Sequence, residues 1–331
     1  HRLGKIGWFG AEDTSNTLTE GASIQVLTDA TWSASENGAY MAFFTTDANA
    51  SSTEKVRIAA DGVVGIGTIS PDSLLEISKD SANTEFIISC YHDTEATTPK
   101  VTLRKSDGTE GSEALVDDNA VLGTLAFHGY DGNSWTSGAE IIARANGTPA
   151  DNVMPTDLEF WTNTGGSAPS QVLTILESGY VGIGTTSPDS ILEVSSESAS
   201  AIVAISTYDD TATDCSTLYI QTADNTEASP QLIDDNDVLG QIKFRGYTNA
   251  WREGANIIAR AAATPASGTD MPSDLEFWTS ADGSATPTQR MTILSSGYVG
   301  VGTGTPSEDL HLYSTVSASV TLLIETNQDQ E

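Results

Sequence analysis

The sequence predicts an all-β chain built from tandem modules of about 117 residues. Three observations carry that prediction. A glycine motif occurs three times: 62–68 reads GVVGIGT, 179–185 reads GYVGIGT and 297–303 reads GYVGVGT. The starting glycines lie 117 and 118 residues apart, and so constant a period marks the duplication of a whole folded unit. Apolar and polar residues alternate with period two, and no stretch longer than about eight residues has helical periodicity. Between the alternating runs stand clusters such as Asp131-Gly132-Asn133 and Ala281-Asp282-Gly283. These supply the turn chemistry of antiparallel strands.

The repeat extends beyond the glycine motif. LGTLAFHG at 122–129 matches LGQIKFRG at 239–246 and, more loosely, LGKIGWFG at 3–10. GAEIIARA at 138–145 returns as GANIIARA at 254–261, with GASIQVL at 21–27 as the degenerate copy. DLEFWT at 157–162 returns at 274–279, and YMAFFT holds its place at 40–45. The modules run over 1–83, 84–200 and 201–319, with glycine-rich necks at 62–78, 179–195 and 297–313; 320–331 opens a further module. His1 falls at the phase of Ala120, so the expectation is a segment of a longer polypeptide.

Alternation assigns faces to the strands. Leu125 and Phe127 share a face, as do Ile242 with Phe244 and Ile6 with Trp8. Ala139, Ile141 and Ala143 align with Ala22, Ile24 and Val26, whereas Ile142 aligns with Gln25; the first set is therefore expected to face the core. By the same logic Leu158, Phe160, Leu275 and Phe277 are expected in each module's own core. Asp157, Glu159 and Trp161, and their copies Asp274, Glu276 and Trp278, then share the opposite face, with the tryptophans covered by a neighbouring chain or strand. Ser187-Pro188-Asp189 predicts a single helical turn, Ser capping and Pro in the first position. It recurs as Ser70-Pro71-Asp72 and, weaker, as Thr305-Pro306-Ser307.

Composition narrows the function classes. Forty-six acidic against fourteen basic residues give a net charge of −32, which argues against nucleic acid and against anionic membrane surfaces as partners. It suits the solubility of a long exposed assembly. The longest apolar run, near Ala201 to Ile205, is about five residues, against roughly 20 for a membrane span. No segment at the start has signal-peptide character. Cys90 and Cys215 occupy different phases, so no disulfide framework is indicated, and both are expected as buried free thiols.

The glycine motif does not read as a phosphate loop. Such a loop precedes a helix of several turns, and here the Walker lysine and the third glycine of a dinucleotide fingerprint are missing. In Val181-Gly182-Ile183-Gly184 the two apolar side chains project to one face and the glycines leave the other bare. A bare face permits close approach of another chain. Three chains wound about an axis would bury Val64 with Ile66, Val181 with Ile183, and Val299 with Val301 against their copies.

SGYVGIGTTSP at 178–188 followed by Leu192-Glu193-Val194 resembles the repeat of bacteriophage tail fibre and tail spike proteins. Gly246-Tyr247, Gly254-Ala255, Asp270-Met271-Pro272, Leu275-Glu276-Phe277 and TPTQRMTI at 286–293 are similar to the block that precedes that repeat. The resemblance covers essentially the whole chain. It implies an elongated, intertwined, β-rich homotrimeric fibre on a virion, outside the cell. It also implies contacts with adjoining tail or fibre proteins, and a host-surface glycan or protein reached through regions outside this segment. Many such fibres end in a self-cleaving chaperone domain, which nothing here matches.

No catalytic, cofactor or metal site is expected. His1, His92, His128 and His311 occupy unrelated phases and show no paired-ligand spacing. Asp157 with Glu159 beside Trp161, and Asp274 with Glu276 beside Trp278, are the pairs a glycan depolymerase would need. In the first module Tyr40, Ala42 and Phe44 replace them, so they are candidates for an interface or a glycan contact rather than catalysis. Asp117-Asp118-Asn119 and Asp234-Asp235-Asn236 lack calcium-loop spacing and read as turns. Asn49 and Asn146 begin glycosylation-type triplets explained by composition. The expected role is a passive fibre segment; a cellular surface filament or adhesin, and a glycan-degrading spike, are the alternatives.

Overall fold

A computed structural model describes residues 1–11, 17–48, 51–80, 83–92, 97–166, 168–197, 199–208, 215–265, 270–314 and 320–322. Asn49, and all but the first three residues of the segment 320–331, lie outside the described residues. Among the described residues there are 22 strands and no helix. The fold is all-β.

The first sheet is a meander of β1 (Arg2–Ala11), β2 (Leu18–Thr28), β3 (Ala39–Thr45), β4 (Thr53–Ile58), β5 (Val64–Ile66) and β6 (Leu75–Ile77), hydrogen-bonded in chain order. All pairs are antiparallel except β5 with β6, which is parallel. A two-stranded ribbon, β7 (Asp107–Thr109) and β8 (Ser112–Ala114), follows. The second module repeats the pattern with β9 (Val121–Tyr130), β10 (Trp135–Ala145), β11 (Thr156–Thr162) and β12 (Ser170–Ile175) antiparallel. Its neck strands β13 (Val181–Ile183) and β14 (Leu192–Val194) are parallel. A second ribbon, β15 (Asp224–Thr226) and β16 (Ser229–Gln231), leads to the third sheet. That sheet comprises β17 (Val238–Tyr247), β18 (Trp251–Ala261), β19 (Ser273–Thr279), β20 (Thr288–Ile293), β21 (Val299–Val301) and β22 (Leu310–Leu312), in chain order and again with a parallel last pair. The chain divides into two compact units, His1–Gly179 and Tyr180–Glu331.

Cross-strand register shows how the alternation is used. In the first sheet Ile6, Ile24, Phe43, Val56, Ile66 and Ile77 stand opposite one another in a row that crosses all six strands. The third sheet has the same row in Ile242, Ile257, Phe277, Met291, Val301 and Leu312. In the second, Leu125, Ile141, Phe160 and Leu173 make it across β9–β12. Each sheet therefore has one continuous apolar face.

That apolar face is not the closed one, which reverses the expectation for DLEFWT and GAEIIARA. Leu158 is 37% exposed, whereas Glu159 beside it is only 5% exposed. Asp157, Glu276, Ile142, Asn256 and Ile258 are likewise buried, and Leu275 is exposed. The physical reason is that the chain supplies the acids with partners and then covers them, as described below. Two smaller expectations also change. The Ser-Pro-Asp segments are bends with no helical turn, and Cys90 and Cys215 are exposed thiols rather than buried ones.

Candidate functional site

The closed face is organised around an arginine. In the second module Arg144 on β10 places Nε 2.8 Å from Glu159 Oε1 and Nη2 3.2 Å from Oε2, a bidentate pairing. Trp161 Nε1 donates to the same Glu159 Oε2 at 2.9 Å, and Arg144 Nη1 donates to the Asn119 carbonyl at 3.1 Å. The hydrogen bonding to Glu159, then the Glu159 and Asp157 charges, hold the Arg144 guanidinium above its ordinary pKa. Asp157 accepts from Asn146 Nδ2 and from the Glu177 amide, both at 2.8 Å, and so ties β11 to the turn leaving β12. The third module repeats the set with Arg260, Glu276, Trp278 and Asn236, and Asp274 accepts the Ser295 amide at 2.8 Å.

The first module reaches the same end with different residues. Leu27 stands where Arg144 does, Ala42 replaces Glu159, and Arg57 replaces the small Thr174. Arg57 pairs with Glu54 on its own strand at 2.5 and 3.0 Å and stacks 4.0 Å above the Tyr40 ring. The cation has moved from the second strand to the fourth, and the aromatic partner has changed with it. Asp157, Glu159, Trp161, Asp274, Glu276 and Trp278 thus have intrachain partners, and both tryptophans are half-buried.

In the first and third modules the glycine neck packs on this side of its own sheet. A Cβ on Gly65 would lie 2.8 Å from the Thr68 carbonyl oxygen and 3.4 Å from Pro71 Cδ; on Gly300 it would overlap the Thr303 carbonyl oxygen. The space that glycine leaves is taken by the chain's own crossover, 67–74 or 302–309, rather than by another chain. Gly67, Gly184 and Gly302 have φ of +77°, +75° and +78°, and a Cβ on each would overlap the carbonyl oxygen of Ser78, Ser195 or Tyr313. The conserved spacing within GIGT is therefore a folding requirement of each neck: one glycine for close packing and one for a left-handed turn.

The apolar face lies open. Ile66, Ile183 and Val301 are exposed, while Val64, Val181 and Val299 are half-buried, each pair on one side of its strand. Every described residue over 83–106 and 199–223 is exposed and belongs to no strand, although the segments carry Phe86, Ile87, Tyr91, Ile202, Tyr208 and Tyr219. Tyr91 and Tyr208 are 95% and 96% exposed. These segments touch the apolar face at one edge: a Cβ on Gly123 would lie 2.9 Å from Leu103 and on Gly240 2.5 Å from Ile220. Ile220, Ile242, Ile257, Ala259 and Leu275 line a hollow of about 200 Å³ there.

The aspartate turns are structural. Asn119 and Asn236 adopt left-handed φ of +65° and +68°, their amides donate to Ala145 and Ala261, and Asp118 accepts the Gly147 amide at 2.7 Å. Sequence reasoning missed the hairpin tips. Tyr130 with Trp135 and Tyr247 with Trp251 stack edge to face across β9–β10 and β17–β18, with centroids 5.7 and 5.6 Å apart. The signal was available in the YDGNSW and YTNAW strings, where the aromatic ends persist as the loop changes length.

No protein-family model and no curated protein matches the chain. Solved structures do resemble it, two of which follow. One is the carboxy-terminal domain of the bacteriophage T5 L-shaped tail fibre, with TM-score 0.57 and 14% identity, covering 74% of this chain and 98% of that one. The other is that domain with its intramolecular chaperone domain, with TM-score 0.56 and 14% identity, covering 74% and 70%. The chain has a tail-fibre-like fold.

Proposed function

We propose that the chain is a structural segment of a homotrimeric bacteriophage tail fibre, borne on the virion and extending a host-recognition tip away from it. The observation that carries this reading is the unpartnered apolar face repeated in three sheets, with its charged counterpart already closed. A sheet left as a single layer with a continuous apolar row buries that row only against something else. Copies of the same chain supply an identical row at the same height, and a rotation about one axis closes the set. In this arrangement Val64 with Ile66, Val181 with Ile183, and Val299 with Val301 meet their copies at the axis. The exposed described residues of 83–106 and 199–223 lie against a neighbouring chain. The likeness to the T5 tail-fibre domain supports the fold on which this rests.

The role is passive. Each module's closed face holds the sheet rigid, the open face binds the copies, and repetition gives length. Adjoining tail or fibre proteins continue the structure, and the receptor is met by regions outside this segment. Antibody raised against the chain, applied to virions from its source and imaged in negative stain, is expected to decorate tail fibres. Label on cell-surface threads instead would establish the adhesin alternative and overturn the viral assignment.

A further inference from the structure

The hairpin of β17 and β18 is rich in cations. It holds Lys243, Arg245, Arg252 and Arg260 against a single carboxylate, Glu253, in a chain whose net charge is −32. Arg260 matches Arg144, but the other three cations of this hairpin stand where the second module has Ala126, His128 and Thr136. At its tip, Tyr247 and Trp251 are 68% and 55% exposed. They stand directly opposite each other, and Arg245 reaches over the Trp251 ring with Cζ 5.9 Å from the centroid. Lys243 pairs with Glu253 at 2.6 Å, and Asn256 Nδ2 donates to Glu253 at 3.2 Å. The Asn256 Oδ1 is buried without a hydrogen-bond partner among the described residues. By register Lys243, Arg245, Tyr247, Trp251, Glu253 and Asn256 share one side of the hairpin.

A cross-strand aromatic pair stabilises a hairpin end, and that alone accounts for two opposed rings. It does not account for leaving their outer faces in water, nor for a guanidinium over one of them. Sugar rings present C–H faces that pack on aromatic rings and hydroxyl edges that take hydrogen bonds from the rim. A carboxylate on such a ring is matched by Arg245, whose fork binds carboxylates bidentately. We infer that the β17–β18 hairpin tip is a binding site for an anionic saccharide, with Trp251 and Tyr247 as the stacking surface and Arg245 as the carboxylate ligand. The equivalent tip with Tyr130 and Trp135 has the same rings with Asp131 in its loop, and does not take the anionic ligand. The site stands on the hairpin alone, independent of whether the chain is trimeric.

The test titrates the full chain with an oligogalacturonate, and separately with a neutral maltooligosaccharide, followed by calorimetry. Saturable binding of the uronate that weakens as salt rises is expected. Trp251→Ala and Arg245→Gln should each weaken it about tenfold, and Trp251→Phe should retain most of it. Trp135→Ala removes the same kind of cross-strand pair at the other tip and should leave binding within about twofold. Circular dichroism and mass of each variant should match the parent. Absence of saturable binding, equal binding of the neutral sugar, or equal losses from Trp135→Ala and Trp251→Ala would each overturn the assignment. So would protection of Trp251 from an iodide quencher in the uncomplexed protein, which would show that another chain covers the tip.

Discussion

The two faces of each sheet are built by opposite means. The face that a simple hydrophobic reading would expose, carrying Asp157, Glu159 and Arg144, is closed by its own chain. The face carrying Leu125, Phe127, Leu158 and Phe160 is left open. Charges need defined partners at fixed geometry, and those are most reliably found within one chain, a few residues away across a strand. Apolar surface has no directional requirement and can wait for a copy. The difference teaches that burial within a chain and apolar character are separable when the functional unit is an assembly.

Charging the open face should have the largest effect. Val181→Asp with Ile183→Asp puts carboxylates where copies meet in the proposed trimer, at a cost of about 5 kcal/mol. Light scattering and thermal melting should show lost assembly; unchanged melting would remove these residues from the axis. Next comes the neck. Gly302→Ala adds a Cβ that overlaps the Tyr313 carbonyl oxygen at φ +78° and should cost about 3 kcal/mol. Gly297→Ala, at φ +89° but facing open space, should cost about 1 kcal/mol. Denaturant midpoints that do not separate the two would show that the crossover does not pack on the charged face.

A smaller effect is expected on the closed face itself. Glu159→Ala deprives Arg144 and Trp161 of a shared acceptor and should destabilise the second module by about 2 kcal/mol. The Arg144→Ala, Glu159→Ala double cycle should show strong coupling. Full additivity would mean the pair is not closed from solvent. The smallest effect is on pH. Glu20 is held below its ordinary pKa by hydrogen bonds from Lys5 and then Ser23, Glu253 by those from Lys243 and then Asn256, and Asp131 by those from the Ser134 and Asn133 amides. A depressed folded pKa contributes stability that is complete above the unfolded value and is lost as pH falls through the folded one. The melting midpoint should therefore be level near neutrality and fall below about pH 4. Asp131→Asn should reduce the slope of that fall.

Much of the architecture was legible. The 117-residue period, the alternating strands and the neck at each glycine motif are local properties of the sequence, and the sheets follow them. The face assignment was not legible, because alternation separates Leu158 and Phe160 from Asp157 and Glu159 without saying which set the chain covers. Deciding it needs the diagonal from Arg144 to Glu159, which is set by register. The exchange of Arg144 and Glu159 for Leu27 and Ala42, offset by Arg57 on Tyr40, lies in the repeats, but sequence reasoning took the loss of the acids only as an argument against catalysis. The parallel pairing of the neck strands left no trace in three-residue segments. Cys90 and Cys215 lie in segments whose described residues are all exposed and outside any strand, so their type alone misled.

The central claim is that copies of the chain close the open apolar face. Its most direct test is the molar mass in solution by light scattering at micromolar concentration. The account requires about three times the 34.7 kDa of one chain. A stable species of one chain's mass, with its melting transition intact, would contradict it.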